Sequence, residues 1–172
     1  MSSKPGAPRR RALLGVTAVL LTACSAAPAE PPVPSSSPFN STDTAWVQLM
    51  IPMNEQLLPA LDVAPPELRE LAAELRASHS DELVRLRRLR DRAGLPDTNV
   101  HAGHQMPGLL SAADLLAVRT EPASLGEKLR EHLGQTAKLA RSEQENGADA
   151  ETKALATAIE EARGRQLDRL GG

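Results

Sequence analysis

The sequence predicts an all-α protein built as a four-helix bundle. Apolar residues recur at spacings of three and four in four long segments after residue 42, and none of them alternates as a strand does. Capping residues, Gly and Pro divide these segments into two hairpins. Aromatic residues make up 1% of the 172 residues, so the core must be built of Leu and Ala. We therefore expect a bundle domain over residues 42–171, made of two repeated helical hairpins and a short linking helix.

The N-terminus has the features of an exported lipoprotein precursor. Basic residues precede an apolar run of twelve, residues 12–23, which is too short to span a bilayer as a helix. The run ends in Leu21-Thr22-Ala23-Cys24, which resembles the bacterial lipobox, and Cys24 is the only cysteine. We expect a signal peptide over residues 1–23 and lipidation of Cys24. The alternative is an ordinary signal peptide in which Cys24 falls at that place by chance.

The segment that follows predicts a tether. Residues 24–41 are rich in Pro and Ser and have no hydrophobic period, which is typical of a semi-extended spacer of roughly 3 Å per residue. The domain would then be held on the extracytoplasmic face of the cell membrane by its N-terminal lipid. The net charge of −2 and the scarcity of aromatic residues disfavour nucleic acid as a partner. No protein partner is indicated.

The first hairpin has clear start and stop signals. Its first helix is predicted from an N-cap at Ser41 or Thr42, with a kink or an early break at Pro52 and Pro59. Its second helix opens at Pro65-Pro66-Glu67 and ends before Gly94-Leu95-Pro96.

The second hairpin follows a loop over residues 95–110 and a short helix capped by Ser111. Its first helix opens at Pro122 or at a capping box Ser124-Leu125-Gly126-Glu127, and its second is capped by Asp149. The stripes of both hairpins predict burial of five core residues: Leu75, Leu86, Leu129, Ile159 and Leu167.

The two hairpins also look like diverged copies of each other. An offset of 79 residues places His132 opposite Met53. An offset of 84 residues places Arg163 opposite His79 and Gln166 opposite Glu82.

Three segments carry a family resemblance. They read Met50-Ile51-Pro52-Met53-Asn54, His79-Ser80-Asp81-Glu82-Leu83 and His104-Gln105-Met106-Pro107-Gly108. In these segments the chain resembles the exported bacterial proteins known as domain of unknown function 305, whose pattern has a Met-Ile-x-His-His helix, a Gln-x-x-Glu-Ile helix and a Met-Pro-Gly-Met link. The resemblance covers roughly residues 41–170. It implies a ferritin-like four-helix bundle, and some members of the family are associated with copper.

The resemblance implies a metal site inside the bundle, of which only part remains. The remaining candidate ligands are Met50, Met53, His79, Glu82 and His132. Thioethers favour Cu(I), and imidazole accepts either copper state. The alternative is a structural role in which Arg163, at a family ligand position, pairs with Glu82 beside Gln166 while both histidines are hydrogen-bonded. Because Arg163 would repel a cation, we favour the structural role.

The loop offers a second metal candidate. His101, His104 and Met106 place two imidazoles and a thioether on a Gly-containing segment, and these are suitable copper ligands. Copper is thus the one cofactor that the sequence suggests, and none is assigned.

No enzyme is predicted. The adjacent acids Asp81-Glu82 and Glu160-Glu161 are typical of solvated helix surface, and the chain lacks a Gly-x-Ser-x-Gly turn. Two functions therefore stay open: a surface-anchored protein that binds copper or a similar ion, and a structural or protein-interaction module that has lost the family's metal.

Lipid anchoring is tested at Cys24. Replacing Cys24 with Ala removes the thiol that would carry the lipid, so the protein should lose detergent-phase partitioning and either keep its signal peptide or be released. Phase separation and mass spectrometry of the N-terminus measure this. A wild-type protein that is found soluble outside the cell would contradict the anchor.

Overall fold

The structure, a computed structural model, describes residues 37–171. The predicted signal peptide, Cys24 and most of the predicted tether lie outside these residues. The described part of the chain is all-helical. Its five α-helices are α1 (Ser41–Leu61), α2 (Arg69–Arg92), α3 (Ala112–Thr120), α4 (Leu125–Asn146) and α5 (Ala150–Gly171), and single 3-10 turns at Pro66–Leu68 and Pro122–Ser124 precede α2 and α4.

The first helix begins one residue earlier than predicted. Asn40, rather than Ser41 or Thr42, is the N-cap: its side chain accepts from the backbone N–H of Thr42 and Asp43, and the carboxylate of Asp43 accepts from the backbone N–H of Asn40. Phe39 is buried in the core. The last residues of the predicted tether, 24–41, therefore belong to the helical domain.

Pro52 and Pro59 do not end α1, so the predicted early break is wrong. Each proline removes a backbone donor, which costs roughly 3 kcal/mol in a helix interior. The helix nevertheless continues to Leu61 with more than half of its residues buried, Pro52 among them. Packing on both sides of α1 outweighs the local preference for a break.

The other helix ends follow their signals with one exception. Gly94, at φ +67°, ends α2, and Ser111 forms a capping box with Asp114 at the start of α3. Asp149 accepts from the backbone N–H and the hydroxyl of Thr152 at the start of α5. The capping box predicted at Ser124 is absent, because the hydroxyl of Ser124 donates to the carbonyl of Glu121 instead.

The four long helices surround a common interior. α1 packs on α2, α4 packs on α5, and the two hairpins meet through α1 with α4 and α2 with α5. The short helix α3 contacts α1. None of the helices described is long and apolar enough to cross a membrane.

The core consists of two apolar clusters. The first apolar cluster includes Phe39, Trp46, Met50, Met53, Leu86, Leu89, Ala140, Leu155 and Ile159. The second apolar cluster includes Leu57, Leu61, Leu71, Leu75, Leu125, Leu129, Leu133 and Leu170. Four of the five predicted core residues are buried, whereas Leu167 is only half-buried at the edge of the second cluster.

Candidate functional site

Every long helix carries a buried polar residue between the two apolar clusters. We call the set of these residues the polar layer. It comprises Asn54 on α1, His79 and Glu82 on α2, His132 and Thr136 on α4, and Arg163 and Gln166 on α5. In each helix the residues on one side of the layer belong to the first apolar cluster and those on the other side to the second. The polar layer thus crosses the middle of the domain.

Arg163 and Glu82 form the centre of the polar layer. The guanidinium donates from Nη1 to Oε1 of Glu82 over 2.9 Å and from Nη2 to Oε2 over 2.6 Å. The Arg163 side chain is 0% exposed and that of Glu82 is 9% exposed. Two parallel hydrogen bonds in a dry interior hold both charges where either alone would be strongly destabilising.

Side chains from all four long helices take part in the further hydrogen bonds around Arg163 and Glu82. Arg163 Nε donates to the hydroxyl of Thr136 over 3.1 Å, and Nη1 also donates to Oε1 of Gln166 over 3.2 Å. Gln166 in turn donates to the hydroxyl of Ser78. Asn54 donates to Oε2 of Glu82 over 2.9 Å. The structure therefore brings Glu82, Arg163 and Gln166 together as one network.

The two histidines of the polar layer face each other. Their Nε2 atoms lie 3.1 Å apart, and both side chains are 0% exposed. Nδ1 of His79 lies 2.8 Å from the carbonyl oxygen of Leu75, and Nδ1 of His132 lies 2.9 Å from that of Gly108. A carbonyl only accepts, so each of these two contacts requires a hydrogen on Nδ1.

The three contacts made by the two imidazoles need one more hydrogen than two neutral rings supply. They form three donor–acceptor pairs, whereas two neutral imidazoles carry two N–H hydrogens. One further proton between the two Nε2 atoms, giving one imidazolium cation, would complete the three contacts. Burial and the charge of Arg163 oppose that cation: they lower the pKa of His132 to about 3 and that of His79 well below its usual value. Both imidazoles are neutral at neutral pH.

Gly108 connects the loop to the polar layer. Besides accepting from His132, it has φ +74°, and a Cβ built on it would lie 2.8 Å from Cβ of Gln135 and 3.1 Å from Cα of His132. Only glycine allows the loop backbone to approach α4 this closely.

Several of the proposed bundle ligands make other contacts in the structure. Met50 and Met53 are buried in the first apolar cluster, while Glu82 is occupied by Arg163 and Asn54. Within residues 37–171 there is no group of three or more His, Cys, Asp or Glu residues that could hold a metal ion. The interior thus presents two imidazoles and a guanidinium rather than an anionic ligand set.

The structure brings together two of the three candidate ligands of the loop. The rings of His101 and His104 lie edge to face with their centroids 5.7 Å apart, and His104 is exposed. Met106 is half-buried and packs against the first apolar cluster. The two imidazoles are therefore neighbours at the surface, and the thioether is engaged in the core.

Sequence reasoning missed Asn54, Thr136 and Ser78. Thr136 follows His132 by four residues and so lies on the same face of α4, but its bond to Arg163 depends on how α4 and α5 are offset along their axes. Asn54 is conspicuous only as the polar residue beside Met53 on an apolar helix.

Comparison with known proteins adds no relative: no family model matches the chain, and no curated protein or solved structure is found to be similar to it.

The Gly108 contact predicts a large loss of stability on adding a methyl group. Gly103→Ala is the matched control, because Gly103 has φ +77° but open space around its Cβ position. Both variants incur the strain of a positive φ, roughly 1 to 2 kcal/mol. Gly108→Ala should lose about 1 to 3 kcal/mol more because it also overpacks against α4. Chemical denaturation measures both, and equal losses would contradict the close approach.

Proposed function

We propose that the chain is a lipid-tethered, extracytoplasmic four-helix bundle of the ferritin-like kind, which acts as a structural or protein-interaction module without an interior metal. The observation that carries this proposal is the buried pair of Arg163 and Glu82. It stands in the interior position where the family resemblance implies a metal site.

The pair opposes metal binding in two ways. First, Glu82 is the one carboxylate of the polar layer, and both of its oxygens already accept from Arg163. Second, the positive charge of the guanidinium repels a cation placed near the two histidines. The lowered pKa of His132 has the same origin after burial, and a metal ion would meet the same opposition as a proton.

Anchoring rests on sequence features. The lipobox-like Leu21-Thr22-Ala23-Cys24 and the Pro- and Ser-rich segment after it support a lipid at Cys24 and a flexible connection to the helical domain. Because α1 begins at Ser41, the tether would lead directly into the helix that supplies Asn54 to the polar layer.

The proposal is tested by Arg163→Gln. Removing one partner of a buried ion pair leaves Glu82 with an uncompensated charge or forces it to take up a proton, and the loss of stability should be about 3 kcal/mol or more. Arg165→Gln on the same helix removes an exposed arginine and should have little effect. Thermal and chemical unfolding of both variants without metal provide the comparison.

The same measurement with added copper or zinc separates the two functions. A site that survives in the interior would stabilise the wild-type protein strongly, and Arg163→Gln would bind metal more tightly because it removes a repelling charge. Either result would refute the metal-free interior. An unchanged melting temperature of metal-free Arg163→Gln would refute the role of the pair.

A second candidate function is copper binding at the surface loop. The neighbouring rings of His101 and His104 favour it, since two imidazoles on a flexible segment can turn toward one ion. The wild-type protein should then carry copper after exposure to it, and His101→Ala/His104→Ala should lose that copper without unfolding. Elemental analysis of the purified proteins decides this. Equal copper contents in the two proteins would exclude the loop.

A further inference from the structure

Glu143 on α4 is a buried carboxyl group without a visible donor. Its side chain is 0% exposed, and neither oxygen accepts a hydrogen bond from any group in residues 37–171. It is packed tightly: a Cβ on Gly147 would overlap its carboxyl group. An ionised carboxylate that is buried without hydrogen-bond donors would be strongly destabilising, so the stability of this buried group depends on whether Glu143 carries a proton.

The neighbouring Asp43, in contrast, accepts hydrogen bonds from several donors. The carboxylate of Asp43 accepts from the backbone N–H of Asn40 over 2.6 Å, of Ala148 over 3.1 Å and of Asp149 over 3.0 Å. Burial alone would raise the pKa of Asp43, but these bonds, together with one to Glu143, hold it below its usual value. Asp43 is therefore the ionised partner at the N-terminal end of α1.

The two carboxyl groups meet at the same turn: Asp43 accepts from the backbone N–H of Ala148, and a Cβ on the preceding Gly147 would overlap the carboxyl group of Glu143. There they share a hydrogen bond. If both were ionised, two negative charges would be in contact and Glu143 would have no donor at all. If Glu143 carries a hydrogen, it donates to Asp43 and both groups are satisfied. The backbone N–H groups around Asp43 also make the site unsuitable for a metal ion, because their hydrogens point toward the carboxylate.

We propose that Glu143 holds a proton at neutral pH and donates a hydrogen bond to Asp43, so that this one buried proton fastens the start of α1 to the last turn of α4, beside the turn that leads into α5, and that alkaline pH releases it. The fastening lies beside residues 37–40, which lead into α1. Asn40, the N-cap of α1, also donates from its side chain to the carbonyl of Asn146 at the end of α4. Losing the proton would loosen both contacts at this end of the domain.

The surrounding charges favour the same state of Glu143. Burial raises its pKa to about 8, and the bond to Asp43, the charge of Asp43 and the charge of Asp149 act in the same direction. Lys153 on α5 opposes them. Arg92 on α2 is paired with Asp149 and Glu151.

The sign of the pH effect follows from the raised pKa. Between the ordinary value of 4.5 and about 8, the folded protein holds more protons on Glu143 than the unfolded chain does. The contribution of Glu143 to stability is therefore greatest below the unfolded pKa and declines as pH rises through this range. Within this range local opening of this end should become about tenfold more favourable per pH unit. Above a pH of about 8 the carboxyl group is ionised in the closed and the open state alike, and the effect levels off.

The direct test is a carbon-13 NMR titration of the Glu143 carboxyl carbon in the purified full-length protein. We expect a midpoint near 8. A midpoint between 4 and 5 would show an ordinary ionised glutamate and would overturn the proposal. This measurement needs no variant, so it does not depend on any substitution being tolerated.

Glu143→Gln tests the fastening itself. The amide can donate to Asp43 as the protonated acid does, but it does not ionise, so this variant should keep its stability as pH rises from 6 to 9.5 while the wild-type protein loses stability. The backbone N–H groups of Ala148 and Asp149 should likewise keep their protection from hydrogen exchange in the variant and lose it in the wild type. Glu145→Gln, an exposed neighbour on α4, is the charge-matched control and should behave like the wild type.

Identical pH profiles of the wild-type protein and Glu143→Gln would overturn the proposal. These tests are independent of the metal-free function proposed above, because Glu143 and Asp43 lie outside the polar layer.

Discussion

The pairing of Arg163 with Glu82 is the interaction on which the arrangement of the four long helices depends. It joins α2 to α5 directly, and the bonds from Asn54 and to Thr136 extend it to α1 and α4. Apolar side chains such as Leu pack acceptably at several offsets along a neighbouring helix, whereas a guanidinium fork fits a carboxylate at one. The polar layer therefore fixes the register of the four long helices, which the two apolar clusters could not fix alone.

Much of this fold follows from the sequence, and the reason is local. A spacing of three and four places Leu75, His79, Glu82 and Leu86 on one face of α2, and the internal repeat places Arg163 and Gln166 on the corresponding face of α5. Periodicity does not predict how far neighbouring helices are offset along their axes. The contact of His79 with His132 and the bond of Arg163 to Thr136 depend on that offset, so neither could be predicted. The early break predicted at Pro52 is wrong because the packing of α1 outweighs the local preference for a break.

Asp43 and Glu143 show a signal that sequence reasoning could have used. Asp43 is spaced by three and by seven from Trp46 and Met50, and Glu143 follows Ala140 by three, so both acids lie on the inward stripes of their helices. An acidic residue on an inward stripe requires a partner or a proton. For Glu82 the repeat pointed to Arg163. For Glu143 the sequence offers no such correspondence, because Asp43 lies near the other end of the chain.

The buried side chains of Glu82 and Glu143 are thus stabilised in two different ways. At the centre, Glu82 is neutralised by the guanidinium of Arg163, which donates two parallel hydrogen bonds to it. Near the start of α1, Glu143 accepts no hydrogen bond from a cation within residues 37–171 and, as proposed above, depends on a proton. A fixed charge suits an interaction that must hold the whole domain together, and an exchangeable proton suits one that holds only a helix start and a turn. The pH dependence proposed for Glu143 therefore acts on the start of α1 and the end of α4, and not on the polar layer.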